Sequence, residues 1–136
     1  MDCYDLKVIQ KLMTQARASW AELGELLGLS APAAADRVKR LEERGVIKGF
    51  AAQVDPEAVG CGVTAFVAVT LDRPDSRKAF LEKVTQSLHI QECHHTAGED
   101  DYLLKVRCGK LSDLEELVSG YLKSVPGVIK TRTTVV

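Results

Sequence analysis

Apolar residues in the first third of the chain recur at the spacing of amphipathic helices. In the first helix, Leu6, Ile9, Leu12 and Met13 recur at spacings of three and four residues, and Val8 adds to the same apolar side. Asp5 lies near its start, where a carboxylate interacts favourably with the helix dipole. The pattern stops near Arg17, so a turn is expected there.

Two further short helices follow. Ser19 precedes Glu22 by three residues, which is typical of a capping box. The apolar face expected for this second helix is Trp20, Leu23, Leu26 and Leu27. Gly28 ends it, and Ser30 is a good N-cap for a third helix from Ala31 to Arg44. Its apolar stripe is Ala34, Val38 and Leu41. Three helices in this order predict a helix-turn-helix, followed by an extended stretch from Val46-Ile47.

The second half of the chain alternates between strand-like and helical segments. Runs rich in β-branched residues predict strands over residues 63–71 and 128–136, and residues 90–96 and 102–106 are predicted as two strands around the turn at 98–101. Helical spacing predicts helices over residues 74–88 and 111–122. The order βαββαβ is that of a ferredoxin-like unit, with helices on one face of the sheet. The other face is expected to pair with a second copy.

The predicted fold class is therefore α+β, with two domains. Residues 1–50 form an N-terminal helix-turn-helix, winged-helix-like domain. Residues 51–61, which contain Pro56 and Gly60, form a connector. Residues 62–136 form a C-terminal ferredoxin-like βαββαβ domain, expected to assemble subunits and sense an effector.

Composition and charge narrow the class of protein. The chain has 136 residues, 46% of them hydrophobic, and 18 basic against 19 acidic residues give a net charge of −1. Such a neutral total argues against generic attraction to nucleic acid, but five basic residues cluster between Arg37 and Lys48. No apolar run approaches a membrane span, and no signal peptide is visible. Four cysteines without a CxxC pair predict reduced thiols and a cytoplasmic protein.

Several motifs, in order, resemble the Lrp/AsnC (feast/famine) family of transcriptional regulators. The matching segments are residues 2–6, 16–19, 28–30, 37–42, 45–50, 98–104 and 125–128, with Thr131 and Thr133. The resemblance implies a DNA-binding regulator whose homodimers assemble further, often to octamers. It also implies an amino-acid effector bound near the turn at Gly98, where dimers meet.

The resemblance transfers roles to residues around this turn. By resemblance, the effector-binding residues are Thr96, Ala97, Gly98, Asp101, Tyr102, Thr131 and Thr133. Glycine lets a backbone N–H approach a carboxylate, and an acidic side chain accepts from an ammonium group. Asp100 departs from the family, which often has an aromatic residue there. An extra carboxylate would favour a basic ligand or leave the site empty, and a tight turn without ligand is the other interpretation.

The third helix is the candidate recognition helix. Ser30, Ala33 and Ala34 are expected near base edges, and Arg37, Lys39 and Arg40 at phosphates or bases. Arg44 shares a face with Ala33, Arg37 and Arg40. Arg37 could instead pair with Asp5 and only join two helices. Alanines cannot make the paired hydrogen bonds that specify a base, so modest base specificity is expected, with selectivity from DNA shape.

Two other functions remain open at this stage. The near-zero charge and alanine-rich helix also fit a ligand-sensing or assembly protein with weak DNA binding. His89, Cys93, His94 and His95 leave a siroheme-decarboxylase-like enzyme as a further alternative. Neighbouring positions on a strand point to opposite faces, so this run does not complete a metal site. We expect no catalytic residues, no metal and no cofactor.

Overall fold

A computed structural model describes all residues from Met1 to Val136. The chain divides into two compact units, Met1–Gln53 and Val54–Val136. The division falls within residues 51–61, the segment expected to connect two domains. Each unit has its own hydrophobic core.

The N-terminal unit is built from three helices: α1 (Cys3–Thr14), α2 (Trp20–Leu27) and α3 (Ala31–Glu43). Each begins at a side chain that accepts a backbone N–H of the first turn: Asp2 from Asp5, Ser19 from Glu22 and Ser30 from Ala33. These caps satisfy donors that a helix start leaves unpaired. Ser19 and Ser30 confirm the predicted starts of α2 and α3, whereas the cap Asp2 of α1 was not predicted. The core consists of Val8, Leu12, Leu23, Leu27, Ala34, Val38 and Leu41.

The buried stripes of α1 and α2 are narrower than the sequence predicts. The expectation was wrong for Leu6, Met13, Trp20 and Leu26, whose exposed fractions are 50%, 77%, 48% and 44%. A bundle of three short helices has little interior, so only one narrow stripe of each helix can be enclosed. The remaining apolar side chains lie on the surface of the unit.

The predicted extended stretch after Gly45 forms no strand. The N–H groups of Val46 and Ile47 both donate to the carbonyl of Leu41, at 2.9 and 3.1 Å, and so close the end of α3. No strand is formed in residues 48–53. A strand needs a partner for its backbone groups, and this unit contains no other strand.

The C-terminal unit is a four-stranded antiparallel sheet, in which the second, third, first and fourth strands along the chain lie side by side in that order. Its α-helices α4 (Arg77–Thr85) and α5 (Leu111–Glu115) bury apolar side chains against it. The strands are β1 (Val63–Leu71), β2 (Ile90–His95), β3 (Tyr102–Cys108) and β4 (Val128–Val135). This arrangement confirms the predicted ferredoxin-like α+β architecture.

The two faces of the sheet have different surroundings. Val67 pairs with Leu104 in register, and both pack with the helices in the core. Ala68 pairs with Leu103, and Phe66 with Lys105. Because successive side chains alternate between faces, these four residues lie on the face without helices. We call this side the open face.

Both predicted helices of this unit are less regular than expected. Residues 74–88 form a 3₁₀ turn at Pro74–Ser76 followed by the shorter α4, and Leu88 is 92% exposed. α5 continues as a π-helical segment, Glu116–Leu122, in which Lys123 donates to Val118 five residues back. The wider turn lets Leu117, Val118 and Leu122 all reach the core, whereas Leu111 stays exposed.

Candidate nucleic-acid interface and effector depression

Helix α3 carries the predicted DNA-binding residues on more than one side. Lys39, Arg40 and Arg44 are exposed. The hydroxyl of Ser30 accepts the N–H of Ala33 at 3.2 Å, so its acceptor position serves the helix cap. Ala33 is half-buried, whereas Ala34 is fully buried in the core. The expectation that Ala34 lies near base edges is therefore corrected: its side chain packs inside the unit.

Arg37 joins α3 to the start of α1. Its Nη1 donates to Asp2 at 2.8 and 3.0 Å and to Asp5 at 3.2 Å. Its guanidinium also lies over the ring of Tyr4, with Cζ 4.8 Å from the centroid. Asp5 is the one charged residue buried in the protein. The structure thus favours the alternative in which Arg37 ties two helices together.

Replacing Arg37 by alanine should lower the unfolding midpoint of the N-terminal unit, because Asp5 would keep its burial but lose its cation. The hydrogen bond from Arg37 is the main reason that the pKa of Asp2 lies below its ordinary value. The ionised carboxylate of Asp2 therefore stabilises the folded state. This contribution is complete above the pKa of the unfolded chain, about 4, and is lost as the pH falls through the lower pKa of the folded state. Thermal melts between pH 7 and pH 3 test this prediction. The wild type should lose more stability on acidification than Arg37→Ala, and equal losses would contradict the prediction.

Gly24 in α2 is a feature that the sequence interpretation missed. A Cβ at this position would lie 2.7 Å from the carbonyl oxygen of Leu29 and 3.1 Å from the carbonyl carbon of Ser30. Glycine therefore lets the turn before α3 pass directly against α2. The available signal was a glycine in the middle of an amphipathic helix, where it otherwise costs stability.

The turn between β2 and β3 is held by three hydrogen bonds. Thr96 donates two of them, from its N–H to the Asp101 carbonyl and from its hydroxyl to the Asp100 carbonyl, both 2.9 Å long. The N–H of Asp101 donates to Val69 at 2.9 Å. A depression of about 240 Å³ lies beside this turn. Its lining is Ala68, Thr96, Ala97, Gly98, Glu99, Asp100, Tyr102, Leu103 and Arg132.

Asp100 is fully engaged within the protein. Its Oδ1 accepts the hydroxyl of Thr70 at 3.1 Å, and its Oδ2 pairs with Nη2 of Arg132 at 2.7 Å. The side chain is only 14% exposed. The carboxylate that departs from the family pattern is therefore compensated. Thr70 and Arg132 come from β1 and β4, 30 and 32 residues away, so the sequence interpretation did not find them.

The other predicted effector residues have different surroundings. Asp101 accepts the N–H of Leu71 at 2.7 Å and lines a second depression of about 220 Å³. The ring of Tyr102 is buried, with its centroid 5.0 Å from that of Phe80. Thr131 and Thr133 pair with core residues of β1 and so lie on the helix side of the sheet. The structure brings together Thr96, Ala97, Gly98 and Tyr102, but not Asp101, Thr131 or Thr133, around the first depression.

The three histidines do not converge on one point. His94 bonds to Glu92 at 3.0 Å, His89 contacts the Arg107 carbonyl at 3.2 Å, and His95 accepts from Arg77 at 3.2 Å. No group of three or more histidine, cysteine or acidic side chains is arranged to hold a metal ion. None of the helices has the length and apolar character needed to span a membrane.

A helix-turn-helix unit followed by a ferredoxin-like unit defines a class of two-domain DNA-binding regulator. Family models match both parts: the AsnC-type helix-turn-helix domain over residues 1–42 and the Lrp/AsnC ligand binding domain over residues 64–136. The chain belongs to the Lrp/AsnC family of transcriptional regulators, as its motifs predicted.

Curated relatives and solved structures agree with this assignment. The leucine-responsive regulatory protein of Escherichia coli is 38% identical over 138 residues, covering 100% of this chain and 84% of its own length. A transcriptional regulator of Neisseria meningitidis, solved with L-methionine, superposes with a TM-score of 0.93 at 31% identity, over 100% of this chain and 89% of its own. A feast or famine regulatory protein of Mycobacterium tuberculosis, also complexed with L-methionine, gives 0.91 at 35% identity, over 99% and 90%.

Proposed function

We propose that the protein regulates transcription as a homo-oligomer that holds duplex DNA through α3. The observation that supports this best is the exposed basic group of Lys39, Arg40 and Arg44 on the helix that follows the turn. Lysine and arginine at such positions neutralise phosphates, which supplies most of the affinity for DNA. The protein would act in the cytoplasm, because its DNA partner is there.

The double variant Lys39→Ala/Arg44→Ala should bind the DNA upstream of its own gene more weakly at every salt concentration. Each lost phosphate contact should reduce the slope of log K against log salt by about 1. Mobility shifts from low to physiological salt measure both quantities. Lys78→Ala, an exposed basic residue on α4, is the matched control and should bind like the wild type. No DNA binding by the wild type at low salt would contradict the function and favour a sensing or assembly protein.

Assembly would use the open face of the C-terminal sheet. Phe66 and Leu103 lie there half-buried, and neither packs with the core beneath the helices. A second copy would remove this apolar surface from water and leave charged residues at its rim. Dimers would then assemble further, as is typical of the family. Light scattering after size exclusion tests this, and a monomer at micromolar concentration would contradict it.

The effector would be a neutral amino acid bound beside the β2–β3 turn. Two structural relatives are complexes with L-methionine. Arg132 pairs with Asp100, the half-buried carboxylate of the depression, and Glu99, its other acidic residue, is 89% exposed, so neither is a buried, unpaired partner for a basic side chain. Thr96, Ala97, Gly98 and Tyr102 would contribute lining, and the assignments of Asp101, Thr131 and Thr133 stay predictions. A neighbouring subunit would complete the site.

L-Methionine and L-lysine together test this effector assignment, because they share an α-carboxylate and an α-ammonium and differ in side-chain charge. Calorimetry on the assembled protein should detect L-methionine and show L-lysine at least about tenfold weaker, since an uncompensated buried charge is costly. Binding of neither at millimolar concentration would contradict the effector and leave the DNA-binding role intact. Tighter binding of L-lysine would show that Asp100 is available.

The surroundings of the histidines favour a regulatory over a catalytic role. Each of the three is bonded to a different local partner, so they offer no shared site for a tetrapyrrole. Titration with siroheme, followed by absorbance, tests the enzymatic alternative. A spectral change that saturates at one equivalent per subunit would revive it.

A further inference from the structure

The outer side of α3 carries an ion pair between Arg40, one of the exposed basic residues above, and Asp36. Nη2 of Arg40 lies 2.6 Å from Oδ2 of Asp36, one helical turn earlier. The side chains are 64% and 58% exposed. The buried residues of α3 are Ala34, Val38 and Leu41, so this pair lies on the opposite side. A carboxylate at this position would repel phosphates, which makes its presence on a DNA-facing helix notable.

The pair determines where the guanidinium of Arg40 lies. Helix side chains lean towards the N-terminus, and a contact with the residue four positions earlier draws the arginine further in that direction. Its charge is therefore held over the first half of α3. In a helix-turn-helix, this half of the recognition helix contacts the base edges. Arg37 cannot take the role, because Asp2 and Asp5 hold it.

The chemistry of the pair matches one kind of base pair. Asp36 occupies one of the five guanidinium N–H groups and leaves the others free. Guanine presents two acceptors in the major groove, and its cytosine partner presents an amino donor beside them. An arginine with an adjacent carboxylate offers the complementary donors and acceptor. A phosphate offers acceptors only, so the carboxylate disfavours it.

We propose that Asp36 is a positioning residue for base recognition, which holds Arg40 so that it reads the guanine of a G·C pair in each half-site. This inference rests on the proposed DNA-binding function and gives that function its sequence specificity. The small side chains at Pro32 and Ala33 let the first turn of α3 come close to the groove. Lys39 and Arg44 then contact the phosphates.

In vitro selection from random duplexes, on the full-length protein, tests the proposal. The wild type should select a G·C pair at a fixed position of each half-site, and changing it to A·T should weaken binding by about tenfold or more. Asp36→Asn and Arg40→Ala should bind both duplexes within about twofold of each other, because a lost base contact relaxes specificity at its position. Asp36→Glu keeps the carboxylate and should retain the preference.

Glu43→Gln is the matched control, since Glu43 also lies on the outer side of α3 and is in no ion pair. Both neutral variants should gain affinity for random DNA, but Glu43→Gln should keep the preference for G·C. Retention of the preference by Asp36→Asn would overturn the proposal. The proposal would also be overturned if Arg40→Ala lost the same affinity for all DNA sequences and its slope of log K against log salt fell by about 1, because a lost phosphate contact has these two effects. A wild type that binds DNA without the G·C preference overturns this inference alone, whereas one that binds no DNA overturns the proposed function as well.

Discussion

Gly24→Ala should destabilise the N-terminal unit by about 2 kcal/mol. Overpacking costs typically 1–3 kcal/mol, and alanine in a helix regains about 1 kcal/mol over glycine. The obstacle at 2.7 Å is the backbone oxygen of Leu29, which cannot rotate away, so the cost lies at the upper end of that range. To make room, the turn and the start of α3 must move away from α2. DNA binding should therefore weaken together with stability.

The chain has one tryptophan, Trp20 in α2, whose fluorescence reports on this unit during denaturation. Gly28→Ala is the matched control, because a Cβ there meets nothing within 4 Å. Its φ of 68° makes alanine strained, so it should lose about 1 kcal/mol without displacing α3. If Gly24→Ala unfolds with the wild-type midpoint and binds DNA as well as the wild type, the close approach of α2 and the turn does not require glycine at this position.

Gly127→Ala should have the largest effect on the C-terminal unit, a loss of about 3 kcal/mol or more. Its φ of 95° costs alanine about 1–2 kcal/mol. In addition, the Cβ would overlap Ser76 and lie 2.8 Å from Oδ1 of Asp72. The Ser76 hydroxyl donates to that carboxylate at 2.6 Å, so neither side chain can move without breaking the bond. Gly127 also accepts the N–H of Asp72, which joins the entry of β4 to the end of β1.

Urea denaturation followed by far-ultraviolet circular dichroism measures this loss, and amide exchange locates it in the sheet. Gly60→Ala is the control in the same unit, with a φ of 76° and no atom within 4 Å of its Cβ. Gly60→Ala therefore measures the cost of the positive φ alone, which should be about 1 kcal/mol. If Gly127→Ala and Gly60→Ala lose similar free energies of unfolding, the overlap with Ser76 and Asp72 does not contribute to the loss.

These two glycines show where prediction from sequence was incomplete. Gly127 lies in the motif that pointed to the family, yet its packing against Ser76 depends on two segments 51 residues apart. Gly24 lies within a single predicted helix, and only the path of the following turn explains it. In both cases the relevant neighbour is set by how elements pack, which local periodicity does not encode.

At the candidate sites, too, features set by local sequence were predicted, whereas contacts between distant segments were not. The exposure of Lys39 and Arg40 follows from their positions away from the apolar stripe of α3, and Arg44 is exposed at its C-cap. The engagement of Arg37 was open from sequence, since a basic residue on that side of α3 could meet either DNA or a carboxylate. The pair of Asp100 with Arg132 was not anticipated, because adjacent strands bring together residues that are distant in the chain.

The sequence by itself determined the family, the caps Ser19 and Ser30 that start α2 and α3, the strand Val63–Leu71 and the order of the elements. These features depend on local hydrogen bonds and on the spacing of apolar positions, and both are determined by residues that are close together in the sequence. Only the tertiary structure decided which charges are free and which are paired. Asp2 and Arg37 are 35 residues apart, and their contact exists because α1 and α3 pack on one core. For this protein, packing therefore holds Arg37 between two helices, whereas Arg40 stays 64% exposed on the outer side of α3.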